Sequence, residues 1–341
     1  MKIRKFRGVE FINRDKELEF LKERVKEAPR EILWLYGPKS TGKTSLIEYF
    51  LENELDNSYW VKFISFRRNI IANYENFIYS FFEESEEKEE ELKATINTGI
   101  FKLEAKKLQK VKERKLNLFN QLLQELSKIK KQKIIVIDEI QALEDIYIEE
   151  NKELLKEFLN FCIALTKETH LAHVIILSSN TVFIEKIYSD AKMKVTSEFV
   201  KVEHMSYETT KEYLQIKGFN DDEISLIWEY LGGCIPLIDK MIRKYKNFNS
   251  LKDYLEYQIK VSFSEIREIE RRFLDDKKRK IFEEIAKIII KDGEYLVKKD
   301  DSLDVVETID FMAKQEIFFY DPFEGYVVGN NRTYEKVFEL L

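Results

Sequence analysis

Gly37-Pro38-Lys39-Ser40-Thr41-Gly42-Lys43-Thr44 lies between an apolar run, residues 32–36, and a helical pattern, residues 44–55. Strand, glycine-containing loop and helix form the setting in which a backbone wraps a phosphate. Gly37 and Gly42 let the loop curl with its N–H groups turned inward, where a side chain would block an anion. The helix opening at Lys43 adds the positive end of its dipole. In this pattern the Lys43 ammonium reaches the β- and γ-phosphates, and the Thr44 hydroxyl is a ligand for Mg²⁺. The segment Gly37, Pro38, Lys39, Ser40, Thr41, Gly42, Lys43, Thr44 and the adjoining Ser45 is the candidate nucleotide-binding loop.

Ile134-Ile135-Val136-Ile137-Asp138-Glu139 supports this reading. A β-branched run without alternation suits a strand covered on both faces, as in a parallel sheet. Its carboxyl end is where open α/β sheets bind ligands. Asp138 is placed to hold a Mg²⁺ hydration shell, and Glu139 is a candidate base for the attacking water. Residues 174–180 give a third buried strand, ending in Ser-Ser-Asn. Asn180 or Ser179 could orient that water; Asn180 could equally cap the following helix, 181–187.

The chain has 341 residues, enough for two or three domains, and is 44% hydrophobic and 35% charged. Glycine and proline are scarce, at 10 and 4, which suits a helix-rich protein. A net charge of −6 argues against a dominant nucleic-acid surface. Cys162 and Cys234 are too few for a disulfide framework and lack metal-site spacing. No run reaches transmembrane length and no signal-peptide core is present, so a cytoplasmic protein with no membrane partner is expected.

In chain order, residues 1–30 lead in, with a helix starting near Phe11-Ile12-Asn13-Arg14, Asn13 as its N-cap and Pro29 beyond its end. Further strands are expected at 59–65 and 199–202, and helices at 73–82, 116–128 and 151–166. Residues 83–115 read as an excursion: acidic from 83 to 91, basic from 102 to 115, with a small hairpin or strand at 94–103 between. Such charge runs suit a solvated face, or less often a partner site. After Val202 the pattern is helical: a helix after Ser206, another at 221–231 closed by Gly232-Gly233, a third opened by Pro236, and a long one at 251–273. Residues 275–341 form their own unit of helices and an aromatic hairpin turning at Asp321-Pro322-Phe323-Glu324-Gly325, which suggests a winged helix. The division expected is 1–203, an ATPase-type domain; 204–274, a helical lid; and 275–341, the winged helix.

Together, Phe11-Ile-Asn-Arg-Asp-Lys-Glu-Leu18, the loop at 37–44, the strand at 134–139 and Leu231-Gly-Gly-Cys-Ile-Pro236 resemble the archaeal ATPase family. That family belongs to the STAND branch of P-loop NTPases, related to AAA+ proteins and Orc/Cdc6 initiators. The resemblance implies an α/β fold with a parallel sheet in the order 5-1-4-3-2, a small helical domain and a C-terminal winged helix. It implies ATP or ADP with Mg²⁺ as ligands, Phe11 to Arg14 near the adenine, and Pro236 leaning on base and ribose from the lid. Read on their own, Gly232-Gly233 and Pro236 are a helix stop and a first-turn proline.

One departure matters. Such ATPases often carry an Arg shortly after the third buried strand, whereas residues 187–194 here read Ile-Tyr-Ser-Asp-Ala-Lys-Met-Lys. Lys192 or Lys194 does not reproduce a planar fork, and Arg67 and Arg68 are the nearest in-chain alternatives. The expectation is an ATP-binding, slowly hydrolysing switch with Lys43, Glu139 and Asn180 at the reacting end, partnered by a protein client or by itself. Sequence-specific DNA binding through the winged helix is the alternative; it is not favoured, because the stretch 304–314 that would enter a groove is acidic.

Overall fold

The computed structural model describes residues 2–66, 71–85, 101–149 and 152–341. Arg67, Arg68 and the 86–100 part of the charged excursion lie outside these ranges. Five parallel strands form the central sheet: β1 (Ile32–Tyr36), β2 (Tyr59–Ser65), β3 (Gln132–Asp138), β4 (His173–Ser178) and β5 (Ser197–Lys201). Their order is β5-β1-β4-β3-β2, the 5-1-4-3-2 arrangement expected.

Strand β1 reads Ile-Leu-Trp-Leu-Tyr, and all five side chains are buried. Its alternate residues feed two cores. Leu33 and Leu35 pack with the helices Asp15–Lys26 and Lys43–Asn53 on one face. Ile32, Trp34 and Tyr36 join a larger cluster with Leu122, Phe158 and Phe183 on the other. Each such burial is worth about 1.5–3 kcal/mol, so a strand buried on both sides is held firmly in register. Ser65 stands opposite Asp138, Asp138 opposite Leu177, and Ser178 opposite Tyr36. The carboxyl ends of four strands therefore meet along one edge, directly beneath the loop starting at Gly37.

The first thirty residues differ from the expected lead-in. Ile3–Phe6 and Val9–Ile12 pair as an antiparallel hairpin. Arg7 (φ 48°) and Gly8 (φ 82°) make the turn with two left-handed residues, the geometry that suits strand twist. Asn13 is not the N-cap. Asn13 and Arg14 are both left-handed (φ 56° and 70°), whereas a capping residue needs extended backbone. The Asn13 amide instead donates to Thr209 Oγ1 at 3.1 Å. In the excursion, Phe82–Ser85 and Phe101–Glu104 pair in parallel, with Phe82 and Phe101 buried, and the basic run forms the helix Ala105–Lys112.

Four helices follow the sheet: Tyr207–Ile216, Asp221–Leu231, Ile235–Lys244 and Leu251–Phe273. Ser206 caps the first, and Asn220 with Glu223 forms a capping box on the second. Their core gathers Tyr213, Leu214, Ile227, Ile238 and Tyr254, and takes in Ile12 from the hairpin. The C-terminal unit comprises Asp276–Asp292, Tyr295–Leu296, Leu303–Lys314, Phe318–Asp321, Tyr326–Gly329 and Arg332–Phe338. Its three short strands form one antiparallel sheet, and its last helix follows the hairpin. Ile259 and Ile266 of the long Leu251–Phe273 helix pack into its core, so that helix spans both units. Among the described residues no helix is long and apolar enough to cross a membrane.

Candidate nucleotide site

The loop between β1 and the Lys43–Asn53 helix has the curl that its sequence predicts. Gly42 is left-handed (φ 87°) and stands at the helix N-terminus. At Gly37 the constraint is proximity: a Cβ there would lie 2.3 Å from the Val202 carbonyl oxygen. Lys43 is buried, its ammonium donating to the carbonyls of Gly37 (2.9 Å) and Pro38 (2.8 Å). Thr44 Oγ1 and Asp138 Oδ2 stand 3.4 Å apart. A hydroxyl and a carboxylate at that separation are hard oxygen donors of the kind Mg²⁺ takes.

Beyond Asp138 the chain turns sharply. Glu139 is left-handed (φ 62°), which costs a non-glycine residue of order 1–3 kcal/mol and recurs at functional sites. Its carboxylate accepts from Gln141 Nε2, and Gln141 Oε1 accepts from Ser178 Oγ at 3.3 Å. Asn180 caps the helix Thr181–Ser189 through its side-chain oxygen, 3.0 Å from Phe183 N. The capping reading is thus realised, which leaves the side-chain amide as the group able to face a ligand. Lys192 donates to Asn160 Oδ1, and Lys194 lies over the Tyr188 ring, so both lysines are engaged with neighbours.

From the loop a cleft of about 450 Å³ runs between the N-terminal hairpin and the helical unit. Phe11, Arg14, Ser40, Thr41, Gly42, Ser45 and Pro236 all line it, although they come from distant parts of the chain. Phe11 contributes differently from a base-stacking ring. Its ring stacks on Tyr49 at 4.3 Å within the core. Arg14 is buried, and its guanidinium donates to the carbonyls of Thr41 (2.7 Å) and Glu203 (2.6 Å) and to Glu17 (2.5 Å). It ties the phosphate loop to the segment leading into the helical unit.

That segment is a strap of four residues, each with a different address. Val202 N donates to Tyr36 O, just before the phosphate loop (2.7 Å). Glu203 O accepts from Arg14. His204 Nε2 donates to Asn330 O of the C-terminal unit (3.1 Å). Met205 N donates to Gly233 O of the lid (3.1 Å), and a Cβ on Gly233 would lie 1.8 Å from Met205 O. Burial, together with the nearby Lys43 and Arg14 charges, outweighs the Asn330 carbonyl and lowers the His204 pKa to about 4.

The C-terminal unit also touches the phosphate loop itself. Lys39 N donates to Asn330 Oδ1 at 3.1 Å, and the Lys39 ammonium pairs with Glu316. Alongside, Lys201 at the end of β5 pairs with fully buried Asp321 at 3.1 Å. Phe323 packs against Tyr36, Tyr188 and Phe199.

Several lining residues have no signature in the sequence: Glu10, Met205, Tyr213, Lys217, Asp239 and Arg243. Glu10 accepts from Lys217 (2.7 Å) and Tyr213 OH (2.9 Å), and the Lys217 contact does most to hold its pKa below the usual carboxylate range. The left-handed turn at Gly8 was the available signal for the hairpin that carries Glu10.

A phosphate loop on the edge of a parallel 5-1-4-3-2 sheet, with a hydroxyl–carboxylate pair below it, defines the P-loop NTPase fold. Within that class the chain belongs to the ATPase domain family found predominantly in Archaea, whose model matches residues 11–241. Two uncharacterized ATP-binding proteins of Methanocaldococcus jannaschii are 32% and 33% identical to it. Each match covers 93% of this chain, and 93% and 94% of those proteins. An uncharacterized ATP-binding protein of Pyrococcus abyssi is 30% identical over 92% of this chain and 93% of its own. Among solved structures, the Aeropyrum pernix ORC1 protein in complex with DNA aligns over 97% of this chain and 93% of its own, with a TM-score of 0.47 and 15% identity.

Proposed function

We propose that this protein binds ATP with Mg²⁺ and hydrolyses it slowly, acting as a nucleotide-dependent switch of the STAND type. The observation that carries the reading is the Thr44–Asp138 pair at 3.4 Å beneath a loop whose lysine is already turned inward. The amides of the loop from Gly37 to Ser45 cradle the phosphates, and Lys43 exchanges its two carbonyl partners for phosphate oxygens. Thr44 and Asp138 would hold the Mg²⁺, which supplies charge neutralisation at the β- and γ-phosphates. Glu139 takes the proton of the attacking water, and the Asn180 amide faces the γ-phosphate. Base and ribose lie in the cleft between the hairpin, with Phe11 and Arg14, and the lid, with Pro236.

Slow turnover follows from Lys192 and Lys194 being engaged elsewhere, since an arginine finger typically contributes about 10³–10⁵ in rate. The three-domain division, 1–203, 204–274 and 275–341, is part of this proposal. So is a winged-helix reading of the last unit, whose contacts with Lys39 would report the state of the loop. On the helix Leu303–Lys314, Asp304 and Glu307 pair with Lys277 and Lys278. That leaves a neutralised face, which favours a protein client or a second copy over DNA.

The test is a comparison of the wild type with Glu139→Gln. The variant should retain Mg·ATP affinity and lose hydrolysis by about 10²-fold or more. Hydrolysis at the wild-type rate would remove Glu139 from the chemistry. A single-turnover rate that climbs with protein concentration would show an arginine supplied by another subunit.

A further inference from the structure

The hydrogen bonds around Glu139 run in one direction. Asn180 N donates to Ser178 Oγ at 3.1 Å. Ser178 Oγ has one proton to donate, and of its two acceptors Gln141 Oε1 at 3.3 Å is nearer than Asn180 O at 3.5 Å. Gln141 Nε2 donates to Glu139 Oε2. The carboxylate fixes the orientation of the Gln141 amide, because it can only accept and the reverse orientation would set oxygen against oxygen. Ser178 is buried, at 1% exposure, in the last position of β4. Gln141 sits in the short helix Ile140–Leu143, pinned by fully buried Ile140 and Leu143. Glu139 N itself donates to Leu177 O of β4 at 3.2 Å. The carboxylate-bearing residue is therefore held to β4 twice, once through its backbone and once through Gln141.

We infer that Gln141 is a positioning residue for Glu139, and that it makes the aim of the Glu139 carboxylate depend on the tip of β4 through Ser178. The inference rests on the ATPase reading above and deepens it. Strand β4 lies between β1, which carries the phosphate loop, and β3, which carries Asp138. Its tip is thus the part of the sheet closest to both. A shift of the Ser178–Asn180 corner breaks or makes the Ser178–Gln141 bond and turns the glutamine. Gln141 donates a hydrogen bond to one oxygen of the Glu139 carboxylate, and removing that donor removes a constraint on the direction of a side chain carried by a left-handed, strained residue. Positioning of this kind changes kcat and leaves ground-state binding alone, because the water-side carboxylate does not hold the nucleotide.

The experiment uses the full chain with Gln141→Ala, Gln141→Asn, Ser178→Ala and the double variant Gln141→Ala/Ser178→Ala. For Gln141→Ala we expect kcat to fall about tenfold or more with the Kd for Mg·ATP within about twofold of wild type. Gln141→Asn, one methylene short, should not rescue it. The double variant should be no slower than Gln141→Ala alone, since both act along one path. In a Glu139→Gln background, Gln141→Ala should change nothing further. Independently of turnover, a crystal structure of Gln141→Ala should show Glu139 in a different or multiple rotamer. Wild-type kcat in Gln141→Ala, additive losses in the double variant, or an unmoved Glu139 would each overturn the inference. If the wild-type protein fails to hydrolyse ATP, the ATPase reading falls, and the rotamer of Glu139 in the variant still decides the role of Gln141.

Discussion

At the phosphate end of the cleft, one unbroken stretch from Gly37 to Ser45 supplies the loop, the lysine and the helix start. At the base end, the wall is drawn from the hairpin, Arg14, the strap and two lid helices. The first end takes its shape from local backbone conformation, with Arg14, Val202 and Asn330 bracing it from outside. The second exists only when several units have closed on one another. Damage should therefore read out differently: as lost ligand affinity at the first end, and as lost fold stability at the second.

The largest expected effect is at the base end. Gly233→Ala places a methyl 1.8 Å from the Met205 carbonyl oxygen, a backbone atom that cannot step aside. It should cost roughly 3 kcal/mol or more, and lower the Tm of the nucleotide-free protein by several degrees in calorimetry. An unchanged Tm would mean that the strap is not locked to the lid. Next is Lys43→Ala, which should leave the nucleotide-free Tm close to wild type. It should remove most of the stabilisation by Mg·ATP, about 2.7 kcal/mol at 100-fold excess over Kd. If it lowers the nucleotide-free Tm as far as Gly233→Ala does, the two ends are not built differently.

Arg14→Lys probes the tie between them. One ammonium cannot reproduce a fork that reaches both Thr41 O and Glu203 O. A loss of about 1–3 kcal/mol is expected, visible both in the nucleotide-free Tm and in ATP affinity. The smallest effect is in acid. The folded-state pKa of His204 is depressed from 6.5 to about 4, so below about pH 6.5 the unfolded chain takes up a proton that the folded chain refuses. Its contribution to stability is complete above that range and is lost progressively as pH falls towards about 4. The wild-type minus His204→Gln difference in Tm should shrink over this window; a flat difference would refute it.

Legibility in the sequence follows the same division. The phosphate loop and the proposed roles of Asp138 and Glu139 rest on short stretches of sequence, because each chemical requirement falls within a few adjoining residues. The sheet order came through resemblance, since strand adjacency is not written locally. Arg14 and Pro236 were placed at the cleft, but the guanidinium's two carbonyl partners lie 27 and 189 residues away and have no side-chain signature. The hairpin before Asn13 was missed because its strands are four residues each, too short for an alternating pattern to show. Gln141 was overlooked because its partners, Glu139 and Ser178, meet only through the pairing of β3 with β4. Glu10 and Tyr213 meet only through the packing of the helical unit on the hairpin.

The strap from Val202 to Met205 sets a limit on chain length. At Val202, Glu203 and Met205 the hydrogen bonds to neighbouring units are made by main-chain atoms, although Val202 also buries its side chain in the core and Glu203 pairs with Lys201; at His204 the side chain makes the bond. Main-chain bonds survive a change of side chain, so at Glu203 and Met205 identity is loosely constrained. Residue count is not. One inserted or deleted residue would pass every later contact to the wrong neighbour, separating phosphate loop, C-terminal unit and lid in a single stroke. At this point in the molecule the information lies in spacing, and a gap would do more harm than any substitution.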